Sequence, residues 1–219
     1  NVLLVLGLPA LIAAIRTDEQ DTRESAAIMV GATVLFILLA FMGPIGWPHA
    51  VVLLGALGVI LARQIREALA HRAAREAQEG EGIDTHMAGW KGAAFIGAGL
   101  GGLPIGADFL VTGASSIARG FGISEAVIGL TLVAVGTSLP ELATSVSAAL
   151  KGRADLALGN VIGSNIFNLL SIIGIAGLFG QMPVPAQMLR FDLWVMLAAS
   201  LLILPFVFYR WPLKRGIGI

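Results

Sequence analysis

The sequence contains no cysteine, which excludes disulfides, thiolate metal sites and cysteine nucleophiles. Histidine is nearly as scarce: His49, His71 and His86 lie at the ends of apolar runs or in a polar stretch, so no run has a histidine base at its centre. "GASSIA" and "GTSLP" stop short of Gly-x-Ser-x-Gly, and with no such base an intramembrane serine protease is set aside. Charge is sparse at 13% of residues and balanced to a net of zero, so nothing points to nucleic acid. What fills the space is apolar: 57% of the chain is hydrophobic, in blocks too long for a soluble domain to cover. The composition is that of a membrane protein. The chain opens at Asn1, inside an apolar run without a basic leader, unlike a signal peptide.

At about 20 residues per bilayer crossing, blocks bounded by charge or by Gly and Pro predict seven membrane segments. They are 1–15, 26–42, 48–61, 93–118, 125–150, 156–178 and 191–209. The first is short. The third is also short, but its helical pattern runs on through "ARQIREALAHRAAREAQ", which predicts one helix leaving the bilayer. The polar link 62–92, with "QEGEGIDTH" as a flexible turn, is too small for a regulatory domain. With loops alternating sides, twelve of the 14 Lys and Arg fall on one side; only Arg119 and Arg190 fall on the other. Basic residues favour the cytoplasmic side, so the link and the C-terminal tail are expected there, in a cell inner (plasma) membrane.

Shifting the chain by 167 positions aligns 1–42 with 168–209 without a gap. Ten positions are identical, among them Asn1/Asn168, Gly7/Gly174, Arg23/Arg190, Met29/Met196 and Phe41/Phe208. Apolar stretches match by chance, but this alignment holds its offset through a polar loop and pairs Asn and Gly. The copies lie an odd number of crossings apart and so run in opposite directions. That is an inverted-topology repeat, the internal symmetry of many secondary transporters. The expected organisation is 1–61 as the remainder of a first membrane repeat, 62–92 as the link, and 93–219 as a second repeat lacking its last helix. About seven helices of an expected ten are then present, and the missing N-terminal and C-terminal helices of the same protein would flank them.

The 25 residues 126–150 carry one charge, Glu141, directly after Pro140. An acid at mid-membrane costs roughly 2.5–3.5 kcal/mol on insertion scales, so it should face a cavity or a partner. Pro140 has no N–H to give, which frees the carbonyl of Gly136 and predicts a kink. In a helix Thr137 and Ser138, four and three residues before Glu141, share its face. The next segment, "GNVIGSNIFN", carries Asn160, Ser164 and Asn168 at spacings of four, with Gly159 and Gly163 as a small-residue surface for close helix approach. Only oxygen ligands are on offer, which suits hard cations such as Ca²⁺ and Na⁺.

The run "VIGLTLVAVGTSLPELATSVSAALKGRADLALGNVIGSNIFNLL" closely resembles the alpha repeat of the calcium/cation antiporter superfamily, specifically the bacterial calcium/sodium antiporters. The resemblance implies a ten-helix, all-α polytopic fold that exchanges Ca²⁺ for Na⁺ by alternating access, as an inverted-topology repeat transporter without a cofactor. It also implies a ligand set. Glu141 would be the principal carboxylate, Thr137 and Ser138 would flank it, and Ala134 would offer its carbonyl. Ser164 and Asn168 would complete this repeat's share, and Asn1 would match Asn168 in the other. Some relatives, potassium-dependent ones included, have Asp where Asn168 stands, so Asn here favours a potassium-independent exchanger.

Two rival functions stay open at this point, a cation/proton antiporter of the same superfamily and a passive cation channel. The inverted repeat favours a carrier over the channel. Asp108, alone in a glycine-rich fourth segment, reads as a hydrogen-bonding or vestibule residue rather than a relay, because no second acid accompanies it. The glycines suit a sliding helix, which the resemblance assigns to gating, and suit plain packing equally well.

Overall fold

The computed structural model describes residues 2–12, 20–78, 89–124, 128 and 134–208. These residues are helical throughout their regular structure. In chain order the helices are α1 (Val2–Ile12), α2 (Gln20–Phe41), α3 (Trp47–Gln78), α4 (Gly89–Gly120), α5 (Ala134–Thr137), α6 (Leu139–Leu150) and α7 (Ala154–Phe167). A π-helical stretch, Asn168–Ile172, joins α7 to α8 (Ile173–Phe179). A second, Met188–Asp192, leads into α9 (Leu193–Leu201), and α10 (Leu204–Phe208) follows.

Among the described residues, five spans are long and apolar enough to cross a membrane: Thr22–Phe41, Trp47–Ala70, Trp90–Gly120, Leu156–Phe179 and Met188–Phe208. They account for five of the seven expected segments. The first is the 11-residue α1, and the fifth is interrupted at Ser138 and lies partly outside the described residues. The third segment does continue as one 32-residue helix through the basic stretch. The "QEGEGIDTH" turn falls largely at 79–86, outside the described residues.

The chain divides into two compact units, Asn1–Gly58 with Glu141–Ile219, and Val59–Pro140. This division follows packing, whereas the repeat boundaries follow internal symmetry. In the first unit, Phe36, Ile37 and Ala40 of α2 form a buried cluster with Ile45, Leu169 and Leu193. Helix α8 lies close on α3 because Gly174 has no side chain: a Cβ there would stand 2.9 Å from Leu54 Cγ. Backbone bonds Ile45 N–H to Met182 O (2.9 Å) and Met182 N–H to Ile45 O (2.8 Å) tie the loop after α2 to the loop after α8.

The repeat alignment sets α2 against 187–208, and the two pack antiparallel. Arg23 at the start of α2 donates to the Phe208 carbonyl at the end of α10 (3.3 Å). The Phe41 ring at the other end of α2 meets Trp194 near the start of α9. Opposite direction is what an inverted repeat requires.

In the second unit, Gly136 of α5 packs on α4 so closely that a Cβ would overlap Val111 Cγ2. The sequence marks Gly136 as the residue whose carbonyl Pro140 frees; the space it leaves for Val111 is a reason for glycine itself at this position.

Candidate cation site

The helix expected through 126–150 is broken where Pro140 demands it. Helix α5 ends at Thr137, Ser138 forms a turn with its N–H on the Val135 carbonyl (3.0 Å), and α6 begins at Leu139. Pro140 cannot extend the bonding pattern back to Gly136. This corrects one sequence inference. A shared face for Thr137, Ser138 and Glu141 presumes an unbroken helix, and the turn at Ser138 removes that presumption. Thr137 is exposed and Ser138 buried, and both belong to the unit that ends at Pro140, whereas Glu141 opens the next stretch of the other.

Glu141 stands in the first turn of α6, where the helix N-terminus favours negative charge. Its Oε2 is buried and has no hydrogen-bond partner among the described residues. A buried carboxylate oxygen without a partner is costly. Cation coordination is the natural way to satisfy it, since carboxylate oxygen is what hard cations take.

The polar side chains of α7 make bonds of two kinds, one to α6 and the other within α7. Asn160 Nδ2 donates to the Glu141 carbonyl and to Ser145 Oγ, both at 2.9 Å. The direction is fixed by chemistry, because a carbonyl can only accept. The sequence reading expected amide oxygens to be brought against Glu141's helix; at Asn160 the structure brings the nitrogen, and the residue joins α7 to α6. Ser164 Oγ donates to the Val161 carbonyl (3.1 Å), and Asn165 Nδ2 donates to the same carbonyl (2.7 Å). Asn168, half-buried, opens the π-helical stretch, its N–H reaching the carbonyls of both Asn165 and Ser164. π-helical turns recur at functional sites, and nothing in the sequence signalled this one.

Other candidates are placed differently. The expected close approach at Gly159 and Gly163 is not made by any described residue: both are exposed and a Cβ at either would meet nothing within 4 Å. Ala134 opens α5, and Asn1 lies outside the described residues. Asp108 is exposed on α4. His49 accepts the Gly46 N–H at the start of α3 (3.3 Å), an end-of-segment role as expected. No group of three or more His, Cys, Asp or Glu is gathered among the described residues. Among the described residues, the buried oxygen without a partner is that of one carboxylate, Glu141.

The chain is also similar to known proteins. The chain matches the family described as sodium/calcium exchanger protein over residues 1–66 and 91–219. It is 50% identical over 115 residues to sodium/calcium exchanger MaX1 of Methanosarcina acetivorans, covering 52% of this chain and 33% of that protein. It is 31% identical to inner membrane protein YrbG of Escherichia coli over 231 residues, covering 100% of this chain and 69% of that one. A solved structure of the sodium-calcium exchanger NCX_Mj, soaked with Na⁺ and Sr²⁺, superposes with a TM-score of 0.79 at 31% identity, covering 100% of this chain and 68% of that one. The chain thus spans from 33% to 69% of the length of these proteins.

Proposed function

Because the chain belongs to the sodium/calcium exchanger protein family and is a multi-pass membrane protein, we propose that it exchanges Ca²⁺ for Na⁺ across the membrane by alternating access. Glu141 is the carboxylate that meets the ion. The observation that carries this reading is the buried, unpartnered Glu141 Oε2 at the N-terminus of α6. The exchanged ions are substrates, and no cofactor enters the proposal.

The proposed ligand set is Glu141 with Thr137, Ser138, the Ala134 carbonyl, Ser164, Asn168 and Asn1. Ca²⁺ takes six to eight oxygens in flexible geometry, which a mixed set of carboxylate, hydroxyl, amide and carbonyl oxygens suits; Mg²⁺ demands a tight octahedron. Ser164 fits because its proton goes to Val161, leaving the oxygen to face any further neighbour with lone pairs. The two membrane repeats, 1–61 and 93–219, supply one central site between them, and the 62–92 link joins them in the cytoplasm. The membrane is the cell's inner membrane, with the C-terminal tail cytoplasmic.

The test uses the protein as its gene encodes it, reconstituted in liposomes. Calcium uptake should follow an imposed sodium gradient, saturate with calcium, and disappear in Glu141→Gln, which keeps the volume and removes the charge. Drive by a pH gradient alone would assign the cation/proton branch, and unsaturable flux without a counter-ion would assign a channel. Uptake surviving Glu141→Gln would remove that residue from the site.

A further inference from the structure

We infer that Asn160 is the positioning residue for the Glu141 carboxylate, holding α6 in register and rotation so that the unpaired oxygen meets the cation. This rests on the reading of Glu141 given above.

A carboxylate kept for a cation cannot be fixed through all of its own oxygens, because a donor placed on them competes with the ion. Glu141 shows that condition at Oε2. Its placement must then come from the main chain, and there Asn160 acts. One amide nitrogen gives a hydrogen to the Glu141 carbonyl and a hydrogen to Ser145 Oγ, each at 2.9 Å. Glu141 and Ser145 are one turn apart on α6, so the two bonds grip that helix at two points. Ser145 is fully buried and donates in turn to the Ala157 carbonyl on α7 (3.5 Å). The three groups close a ring between the helices.

Two-point attachment restrains rotation about the helix axis, which one hydrogen bond does not. A carboxylate about 6 Å from the axis moves about 1 Å for a rotation of about 10°. Calcium–oxygen distances lie within about 2.3–2.6 Å, so a shift of that size weakens coordination. Asparagine is specific to the task. Serine has one hydrogen to give, aspartate would set oxygen against the Glu141 carbonyl, and glutamine is a methylene too long.

The experiment measures sodium-driven calcium uptake against calcium concentration in liposomes containing the protein as its gene encodes it. Asn160→Ala is expected to raise the KM for Ca²⁺ about tenfold, equivalent to about 1.4 kcal/mol, with uptake at saturating calcium within about twofold of the parent. If Asn160 only glued the helices, Asn160→Ala would lower the melting temperature and the amount of active protein and leave KM unchanged; that result overturns the inference. Should the alanine protein not remain monodisperse, Asn160→Ser carries the same expectation, since its hydroxyl can satisfy itself on its own helix. Glu141→Gln separates the two levels. Uptake persisting in Glu141→Gln sinks the reading of Glu141 and this inference with it. Uptake lost there, with KM unmoved in the Asn160 variants, sinks this inference alone.

Discussion

The hydroxyls of Thr33 and Ser200 meet at 3.3 Å across α2 and α9, and 167 residues separate them, the displacement that aligns the two repeats. The contact therefore joins two positions that the repeat alignment pairs. The surroundings obey the same relation. Thr33 donates to the Met29 carbonyl at 2.9 Å and Ser200 to the Met196 carbonyl at 3.0 Å, and Met29 and Met196 are themselves a repeat pair.

Two hydroxyl protons serve three contacts here, so a bond between the hydroxyls comes at the expense of one back-bond. The pair is coupled, and its worth is modest, near the average of about 0.6 kcal/mol found for hydrogen bonds within membranes. Thr33→Val and Ser200→Ala should each lower the melting temperature in detergent slightly, and the double variant should lower it by less than the two together. Strict additivity would mean the hydroxyls do not interact.

Most of the architecture was legible because membrane burial writes itself into long apolar runs, and because an inverted repeat leaves an ungapped offset that the Thr33–Ser200 contact then realises. The break at Ser138 followed from Pro140, although the consequence for Thr137 and Ser138 did not, since i, i+4 reasoning assumes the continuity that proline removes. The π-helical turn at Asn168 was invisible: one extra residue per turn changes no composition and no spacing that a periodicity count can see. The direction of Asn160 was equally hidden, because an amide offers donors and acceptors alike and only its neighbours decide which end it uses.

Gly136 makes a sharper case for packing. A methyl there would overlap Val111 Cγ2, while Val111 Cβ would lie at 3.3 Å. Gly136→Ala should cost about 1–3 kcal/mol, the usual range for overpacking, read as a lowered melting temperature. Adding Val111→Ala removes the overlapping methyl and should recover much of the loss. No recovery would place the requirement for glycine in the backbone instead.

Ser164 allows a graded test of the proposed ligand set. Its hydroxyl donates to Val161, so its value to a cation is its oxygen alone. Ser164→Ala removes one neutral ligand, worth about 1 kcal/mol, and should raise the KM for Ca²⁺ roughly fivefold, far less than the loss expected for Glu141→Gln. An unchanged KM would remove Ser164 from the set.

Orientation can be tested with single introduced thiols, since these 219 residues contribute no cysteine of their own. The bonds between Ile45 and Met182 require the loops after α2 and after α8 to lie on the same face of the membrane. The exposed Pro44 and Pro183 stand on those loops. Under the proposed orientation, with the twelve basic residues that alternate onto the other face in the cytoplasm and Arg119 and Arg190 on this one, these loops lie outside it. In intact cells a membrane-impermeant maleimide should therefore label Pro44→Cys and Pro183→Cys, and should label Gly82→Cys in the link only after the membrane is opened. Reaction of Gly82→Cys alone would invert the assigned orientation while leaving the fold intact. Different behaviour of Pro44→Cys and Pro183→Cys would be more serious, since it would mean that the number of crossings between them is odd and that the pairing of Ile45 with Met182 does not occur in the membrane.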